Sequence, residues 1–363
     1  MLQPSIGTVI FGRYMLRREL ARGGMGSVWE AEDRKLKRPV AIKMLYALWA
    51  ESQEALTRFE REAMAVARLQ SPHVVQIFDY GVERECPFIV MELLAGEDLR
   101  QRIKRGGRLS MMQTATIVVQ AAKALSSAHA AGIVHRDLKP GNVFLVRGRE
   151  EEMVKILDFG VAKARLSEDI DQETTKEGAI LGTPRYMSPE QALQSRTVDF
   201  RTDLWSLAVI AFRALTGTVP FAGKSPADII VKLCTQKPPR ASSVMAELGP
   251  EIDDFFDRAL QRRPEDRFQS ATELATAFAL AAEASFPSLD MPTPTAAIVA
   301  ATQQAKIGMV RSVPRAIMAT LPGVGPGPAV DEDDEDEAPT IGLEGLTLES
   351  LEDDADTAKV VGT

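Results

Sequence analysis

The sequence contains very few of the residues that build disulfide frameworks or cysteine metal centres. Its two cysteines are Cys86 and Cys234, which lie far apart and form no C-x-x-C pair. A disulfide-stapled fold or a cysteine-ligated metal site is therefore not expected. This cysteine usage is typical of a reducing compartment, so we expect a cytoplasmic location.

Long apolar runs are also missing. No run of about 18 uninterrupted apolar residues occurs, although a membrane-spanning helix needs about that length. The first ten residues lack a basic segment followed by an apolar one, so no signal peptide is predicted. We expect a soluble protein without a membrane partner, and 363 residues are enough for a two-lobed domain with additional segments.

Basic residues are scarce toward the carboxyl end. The net charge of −8 is unevenly spread, because residues 283–363 contain 15 acidic and 4 basic side chains. This segment is rich in Pro, Ala, Thr and Gly and includes the acidic run 331–337, so we expect it to be a disordered tail. The charge pattern gives no reason to expect a nucleic-acid partner.

A cluster of polar residues is predicted where two short strands meet. The apolar runs 143–146 and 154–157 each predict a strand. If they pair as an antiparallel hairpin, Asn142 and Asp158 lie at one end of it, with Asp137 in the loop beside them. Two carboxylates and an amide suit Mg²⁺, which prefers oxygen ligands. Each motif is weak alone, since Asp-Phe-Gly at 158–160 is more often a turn than an active site.

A glycine-rich segment near the amino terminus predicts a phosphate-binding loop. Glycines let the backbone approach phosphate closely. A hairpin turn and a dinucleotide fingerprint are the alternatives, but the fingerprint needs a helix directly after the glycines. Residues 27–31 continue instead as a strand pattern, which favours strand, loop, strand. The segment consists of Leu20, Ala21, Arg22, Gly23, Gly24, Met25, Gly26, Ser27 and Val28.

Lys43 ends the apolar run 40–43, and the next predicted helix, about 51–69, offers it a partner. The spacing of Phe59, Glu62 and Val66 places Glu62 on the apolar face of that helix. A carboxylate there is costly to desolvate without a cation, so an ion pair between Lys43 and Glu62 is expected. The alternative is a solvent-exposed glutamate at the edge of the face.

Together these motifs resemble those of the protein kinases. Residues 135–142 and 158–160 are similar to H-R-D-x-x-x-x-N and D-F-G, and residues 40–43 match V-A-I-K. The glycine-rich segment is similar to G-x-G-x-x-G-x-V, with Ala21 at the first glycine position, so we expect a stiffer loop. The residues within the motifs most resemble those of the bacterial eukaryotic-type serine/threonine kinases.

The resemblance implies an α+β fold with two lobes. A small β-rich lobe is expected over about 14–93 and a larger helical lobe over about 94–282, after a leader at 1–13 and before the tail. The implied activity is transfer of the ATP γ-phosphoryl group to protein serine or threonine hydroxyls in signal transduction, with autophosphorylation. A transient homodimer would allow that autophosphorylation in trans.

The resemblance also implies roles for individual residues. Asp137 would orient the acceptor hydroxyl and take its proton, while Lys139 would stabilise charge on the transferring group. Asn142 and Asp158 would hold Mg²⁺, or Mn²⁺ in its place. The implied ATP-binding set comprises the glycine-rich segment with Ala41, Lys43, Glu62, Met91 as gatekeeper, and Glu92 and Leu94 as hinge residues offering backbone hydrogen bonds.

The long segment after Asp158 resembles a kinase activation segment. Thr183 would belong to its substrate-docking part, and Ser167, Thr174 and Thr175 are candidate phosphorylation sites. The resemblance further implies that Arg136 binds a phosphate there. In the helical lobe, Asp203 would anchor the catalytic loop and Arg267 would pair with Glu190. His73 and His129 are expected to be structural or solvated.

One alternative to an active kinase remains open at this point, and the tail allows two interpretations. A pseudokinase, which keeps the fold as a binding scaffold, would be favoured by loss of Lys43, Asp137 or Asp158, and all three are present. In the tail, Thr340 lies in a T-x-x-L pattern that resembles phosphothreonine motifs read by forkhead-associated domains, although an uneventful acidic tail is the simpler interpretation. A nucleotide-binding oxidoreductase is disfavoured by the strand after Gly26.

Overall fold

The computed structural model describes residues 4–23, 26–45, 53–84, 86–148, 152–159, 184–193, 195 and 197–286. These residues all belong to one compact unit, which spans 1–298. Within this part of the chain, no helix has the length and apolar character to cross a membrane.

The amino-terminal part of the unit is built on an antiparallel sheet, in which buried and partly exposed residues alternate along some of the strands. Six described strands are ordered β1-β2-β3-β4-β6-β5. The alternation is clearest in β3, where every second residue is buried, as expected for a strand with one face on a core. The strands are β1 (Val9–Ile10), β2 (Tyr14–Gly23), β3 (Gly26–Asp33), β4 (Arg38–Leu45), β5 (Ile77–Glu83) and β6 (Cys86–Met91).

The first strand departs from the predicted domain layout. β1 falls within the expected leader at 1–13, yet Val9 pairs with Met15 and Ile10 with Tyr14. Ile10 is fully buried in the sheet core together with Tyr14 and Leu16. The sheet therefore begins before Tyr14, because the leader contributes apolar side chains to its core.

The helix α1 (Gln53–Ala67) packs on the other face of this sheet. Phe59 forms a small cluster with Leu45 and Ile89. Among the residues of α1 whose side chains are described, Phe59, Ala63 and Val66 are buried, and Ala63 lies between the other two on this face. Glu62 is half-buried at the edge of that face rather than at its centre.

A second, smaller sheet has the order β7-β8-β9 and carries the polar cluster. The predicted hairpin is confirmed, since Val143 pairs with Ile156 and Val146 with Met153 in antiparallel register. The elements of this region are β7 (Gly96–Asp98), α2 (Leu99–Gly106), α3 (Met111–Ala130), β8 (Val143–Val146) and β9 (Met153–Ile156).

Helix α3 leads the chain into the loop that carries Asp137. Ser110 and Gln113 form a capping box at its start. After its end, Gly132 takes a φ of +74°, a left-handed conformation that favours glycine. The fully buried residues Ala121, Leu125 and Ala128 fix α3 in the large core.

The remaining helices surround α5, whose residues are buried on almost all sides. The core here includes Trp205, Phe212, Phe256 and Phe278. Together with α3, these helices form a rigid base beneath the small sheet. They are α4 (Pro189–Ala192), α5 (Arg201–Thr216), α6 (Pro226–Thr235), α7 (Ala241–Val244), α8 (Pro250–Ala259) and α9 (Ala271–Ser285), with 3₁₀ turns at Pro140–Asn142, Pro184–Tyr186 and Pro264–Asp266.

Candidate active site

Asp137 lies in a loop whose backbone and neighbouring side chains fix its position. Its N–H donates to the carbonyl oxygen of His135 at 2.8 Å, and its own carbonyl accepts from Asn142 Nδ2 at 2.9 Å. The Lys139 ammonium lies 2.8 Å from Asp137 Oδ2. The carboxylate of Asp137 keeps 25% of its side-chain surface exposed, so it remains accessible from the cleft.

The hairpin brings Asn142 and Asp158 to the same end of the small sheet. The N–H of Leu157 donates to the carbonyl oxygen of Asn142 at 2.9 Å, which holds the start of β8 beside the end of β9. Asp158 then takes a φ of +55°, a conformation that side chains rarely adopt and that is common at functional sites. Asn142 thus contacts the backbone of Asp137, and it also binds Leu157, the residue before Asp158.

The ammonium group of Lys43 lies 2.8 Å from Asp158 Oδ1. Desolvation raises the pKa of the Asp158 carboxyl, but the attraction of Lys43 outweighs it, with smaller contributions from His135 and Lys139. The net result is a pKa below the ordinary aspartate value. Asp158 is therefore held as a carboxylate, and 40% of its side-chain surface is exposed.

The structure adds a second partner for Lys43 beside the one that the sequence predicts. Among the described residues, Lys43 forms an ion pair with Asp158. The packed face of α1 includes Ala63, and Glu62 is half-buried next to it. The ion pair between Lys43 and Glu62 stays a prediction.

Buried hydrogen bonds support the loop from below. Asp203 is fully buried, and its carboxylate accepts from the backbone N–H groups of His135 at 2.8 Å and Arg136 at 2.9 Å. The predicted anchoring role of Asp203 is confirmed by these two bonds. His129 Nε2 lies 2.8 Å from the same carboxylate, so His129 takes part in the anchor and is not merely solvated.

Buried contacts also hold two rings next to Asp158, those of His135 and Phe159. The His135 ring is fully buried, and its Nε2 lies 2.9 Å from the carbonyl oxygen of Leu157. Phe159 packs against that ring at a centroid distance of 4.8 Å and is 2% exposed. Phe159 is thus part of the large core, which fixes the position of Asp158 next to it.

One face of the large sheet forms the opposite wall. Paired residues of neighbouring strands share a face, and Val28 pairs with Lys43 while Ala41 pairs with Met91. Ala21 pairs with Val28 and therefore lies on this face as well. This places five of the predicted nucleotide-binding residues on the surface that carries Lys43.

In the glycine-rich segment, the described positions differ in how much space they leave for a side chain. A Cβ added to Gly26 would lie 2.0 Å from Met44 O, so only glycine fits where the start of β3 pairs with the end of β4. A Cβ at Gly23 would meet no heavy atom within 4 Å. Ala21 has no positive φ, so alanine causes no backbone strain at the first glycine position. Ser27 is buried on the other face, where its Oγ accepts from Trp29 Nε1 at 2.9 Å.

The segment after β6 is tied to its neighbours through both backbone and side chain of Glu92. The N–H of Glu92 donates to Gln76 O at 3.0 Å. Of the Glu92 backbone groups, only the carbonyl oxygen therefore remains to bind a nucleotide base. Glu92 Oε1 accepts from the Gln76 N–H at 2.8 Å and from Lys155 Nζ at 2.6 Å. Met91, Glu92 and Leu94 are all half-buried, as expected for residues that line a cleft.

The pair predicted between Arg267 and Glu190 is confirmed. The Arg267 side chain is fully buried and contacts Glu190 with two nitrogens, at 2.8 and 2.7 Å. Further bonds from Arg267 reach the carbonyl oxygens of Gln261 and Arg262, each at 2.7 Å. This arrangement locks α4 onto the base formed by the large helices.

Several predicted residues fall outside the described part of the chain. They are Gly24 and Met25 of the glycine-rich segment, Gly160, the candidate phosphorylation sites Ser167, Thr174 and Thr175, Thr183, and Thr340 in the tail.

Sequence reasoning missed residues whose role depends on distant contacts. Lys155 is a single basic residue in an apolar strand, and that isolation was the available signal for a buried partner. Gln191 follows Glu190 and caps α4, but its Nε2 also donates to Arg136 O at 2.8 Å. Nothing in the local sequence of α4 indicates this second contact.

The oxygen atoms at the site fit a hard cation bound together with phosphate. Asn142 uses its Nδ2 for Asp137 O, so its Oδ1 is the remaining oxygen, and Asp158 is a carboxylate of lowered pKa. Among the described residues, no group of three or more His, Cys, Asp or Glu forms a complete metal site. Mg²⁺ commonly uses one or two protein oxygens with phosphate and water, so the donor set is suitable.

The chain matches known proteins over the same region. The family model described as protein kinase domain matches residues 14–278. The serine/threonine-protein kinase PknA of Mycobacterium tuberculosis is 37% identical over 283 residues, which cover 77% of this chain and 63% of PknA. The serine/threonine-protein kinase pkn3 of Myxococcus xanthus is 38% identical over 270 residues, 73% of this chain and 49% of that protein.

A solved structure gives the same result for the fold. The crystal structure of the Mycobacterium tuberculosis PknI kinase domain superposes with a TM-score of 0.62 at 29% sequence identity. The match covers 77% of this chain and all of the PknI domain. The chain itself spans between 49% and 63% of the length of the two curated relatives described above.

Proposed function

The chain belongs to the protein kinase family, and on that premise we propose that it transfers the γ-phosphoryl group of ATP to serine and threonine hydroxyls of proteins. The observation that carries the proposal is the convergence of five residues at the end of one hairpin. Lys139 contacts Asp137, Asn142 donates to the backbone of Asp137, and Lys43 pairs with Asp158. We place the activity in residues 14–282, divided into lobes of about 14–93 and 94–282.

In the proposed reaction, the oxygen of a substrate hydroxyl forms a bond to the γ-phosphorus of ATP. The bond from that phosphorus to the β,γ-bridging oxygen breaks, and ADP leaves with the electron pair. Asp137 accepts the hydroxyl proton, since its carboxylate is exposed to the cleft and its backbone is fixed on both sides. Lys139, 2.8 Å from that carboxylate, neutralises charge beside the acceptor and the transferring group.

The nucleotide is proposed to lie on the face of the sheet that carries Ala21, Val28, Ala41, Lys43 and Met91. The Glu92 carbonyl and the Leu94 N–H would bind the adenine. Leu20, Arg22, Gly23, Gly24, Met25, Gly26 and Ser27 remain proposed contacts of the glycine-rich segment.

Asn142 and Asp158 are the residues that would hold Mg²⁺, or Mn²⁺, and the ion when bound would neutralise phosphate charge. The Lys43 ammonium sits within hydrogen-bonding distance of Asp158, and so lies beside the proposed phosphate position. Glu62 is half-buried near this wall, and we retain it as a residue that orients Lys43 once α1 moves toward the cleft. A pseudokinase role is not favoured by any of these observations.

Regulation and partners are proposed from the family pattern. The Arg136 side chain is exposed, which suits a phosphate acceptor for Ser167, Thr174 or Thr175. Thr183 would contact the substrate, and a transient homodimer would permit autophosphorylation in trans. A forkhead-associated partner would read phosphorylated Thr340. The described cysteines are buried free thiols, which agrees with the proposed cytoplasmic location.

The experiment compares the wild-type chain with Asp137→Asn and with Asp254→Asn, each prepared from dephosphorylated stock. Asp254 is an exposed residue of α8, so its substitution makes the same chemical change away from the cleft. Each protein is incubated with Mg-ATP and dephosphorylated casein, and phosphorylation sites are mapped by mass spectrometry. ATP binding is measured in parallel by calorimetry.

We expect phosphoserine or phosphothreonine with the wild type and Asp254→Asn. Asp137→Asn should bind ATP with similar affinity and transfer phosphate at least a hundredfold more slowly, because it cannot accept the proton. Undiminished transfer by Asp137→Asn would remove the catalytic assignment. ATP binding without transfer in the wild type would instead support the scaffold role.

A further inference from the structure

The side chain of Gln191 links α4 to the catalytic loop. Its Nε2 donates to the carbonyl oxygen of Arg136 at 2.8 Å, and its Oε1 accepts from the backbone N–H of Ser188 at 3.2 Å. One amide therefore caps α4 and also reaches the residue that directly precedes Asp137. These two contacts use both the donor and the acceptor of the side chain.

The backbone at Arg136 needs external support. Its φ is +59°, which is left-handed and unfavourable for a residue with a side chain. The Asp203 carboxylate accepts from the N–H groups of His135 and Arg136, at 2.8 and 2.9 Å. Those bonds fix the two peptide groups before Arg136, but they do not touch the peptide group that joins Arg136 to Asp137.

That last peptide group is held through both its N–H and its oxygen. Its N–H, which belongs to Asp137, donates to His135 O at 2.8 Å and also lies 3.2 Å from His135 Nδ1. Its oxygen, which belongs to Arg136, accepts from Gln191. The orientation of this peptide plane determines where the Asp137 carboxylate points, because the plane connects directly to the Asp137 Cα. Loss of the Gln191 contact would release one side of the plane.

Glutamine is the residue type that can make both contacts. A carboxylate at the same position would keep the acceptor for Ser188 but would have no proton to donate to Arg136 O. The chain contains a matched example in α3, where Gln113 Oε1 accepts from the Ser110 N–H at 3.1 Å. Gln113 is exposed, and its amide nitrogen makes no hydrogen bond within the described residues.

We propose that Gln191 is a positioning residue for the transfer reaction. Its side chain binds the Arg136 carbonyl oxygen and thereby fixes the orientation of Asp137. The same amide also caps α4, so the position of α4 and the alignment of the proton acceptor depend on one side chain. The kinetic consequence rests on the proposed function, whereas the structural consequence does not. Both are measurable with the full chain.

The kinetic experiment compares Gln191→Glu with Gln113→Glu, which makes the same change in the other capping box. Rates are measured with Mg-ATP and dephosphorylated casein. We expect the kcat of Gln191→Glu to fall about fivefold to tenfold, as loss of one hydrogen bond predicts, with the KM for ATP within about twofold of wild type. Gln113→Glu should leave both constants within about twofold, and both variants should melt within a few degrees of wild type.

The pH profile separates loss of the donor from a general structural effect. A protonated carboxyl has an O–H that can donate to Arg136 O, so acid conditions should partly restore the Gln191→Glu variant. The ratio of its kcat to that of wild type should therefore rise as the pH falls toward about 5. A ratio that stays constant with pH would contradict the assigned hydrogen bond.

A second readout does not require activity. Hydrogen–deuterium exchange of the peptide containing residues 134–138 should be several-fold faster in Gln191→Glu than in wild type, and unchanged in Gln113→Glu. If wild type transfers no phosphate, the proposed function fails, while this exchange measurement still tests the positioning role. Unchanged exchange in Gln191→Glu, or equal effects of both substitutions, would overturn the inference.

Discussion

The ammonium nitrogen of Lys155 lies 2.6 Å from Glu92 Oε1, so an ion pair joins β9 to the segment that follows β6. Lys155 is 10% exposed and also donates to the carbonyl oxygen of Val74 at 3.3 Å. Asp158 is the second residue after the end of β9, and Glu92 is a proposed hinge residue. The pair therefore connects the small sheet to the segment that follows the large sheet's strand β6.

Substitution of this lysine should destabilise the chain and weaken nucleotide binding. We expect Lys155→Met to lower the free energy of unfolding by about 2 to 3 kcal/mol, because it leaves the half-buried Glu92 carboxylate without its cation. The KM for ATP should rise, since Glu92 would turn toward solvent. Denaturant unfolding and steady-state kinetics measure the two effects.

Lys232→Met is the matched control for that substitution. Lys232 contacts Asp228 at 3.2 Å and the Ala222 carbonyl at 2.9 Å, so it has the same two kinds of partner. Its pair is about a third exposed on both sides, and such pairs contribute about 0.5 kcal/mol or less. Equal losses of stability in the two variants would contradict a special role for Lys155.

The glycine-rich hairpin gives a steric prediction. Gly26→Ala should lower the free energy of unfolding by about 2 kcal/mol, because the added Cβ would lie 2.0 Å from Met44 O in the neighbouring strand. Gly23→Ala should change stability by about 0.5 kcal/mol or less, since no heavy atom lies within 4 Å. Denaturant melts compare the variants, and a larger loss at Gly23 would show that the close approach of β4 to Gly26 is not the constraint.

Patterns that are local in sequence predicted the centre of the site well. The apolar runs at β8 and β9 fixed a hairpin, and antiparallel geometry then placed Asn142 next to Asp158. Family resemblance added long-range pairs such as Arg267 with Glu190, which no periodicity contains. These successes share one feature, which is that each depends on a residue type at a fixed position in a motif.

What could not be predicted depends on how whole elements pack. The ion pair of Lys43 with Asp158 joins β4 to the end of the small sheet, which are distant in sequence. The contact of Lys155 with Glu92 accompanies the placement of β9 beside residues 73–75, which are also distant from it in sequence. Such contacts arise only after the lobes assemble, so a motif or a period does not reveal them.

The buried guanidinium of Arg267 should not tolerate replacement by lysine. Arg267 binds both oxygens of Glu190 and two backbone carbonyls, which needs the planar, multiply donating arginine head group. Arg267→Lys should therefore lower the free energy of unfolding by about 3 kcal/mol. In the exposed pair with Glu273, Arg258→Lys should cost about 0.5 kcal/mol or less. Denaturant unfolding decides, and equal losses in the two variants would contradict the prediction.

Acid should selectively remove the stabilisation provided by Asp33. The Arg13 guanidinium contacts both carboxylate oxygens, at 3.0 and 2.7 Å, and lowers the pKa of Asp33 from 3.8 to about 2, although burial opposes the shift. Because the folded-state pKa lies below the unfolded one, the ionised carboxylate stabilises the fold above pH 3.8, and this contribution is lost as the pH falls toward 2.

The measurement is urea unfolding of wild type and Asp33→Asn across the acid range. The difference in their free energies of unfolding should stay constant above about pH 5 and narrow as the pH falls through 3.8. In an Arg13→Met background the same comparison should vary less with pH, because the group that lowers the Asp33 pKa is gone. A difference between wild type and Asp33→Asn that remains constant down to about pH 3 would show that Arg13 does not hold this carboxylate ionised.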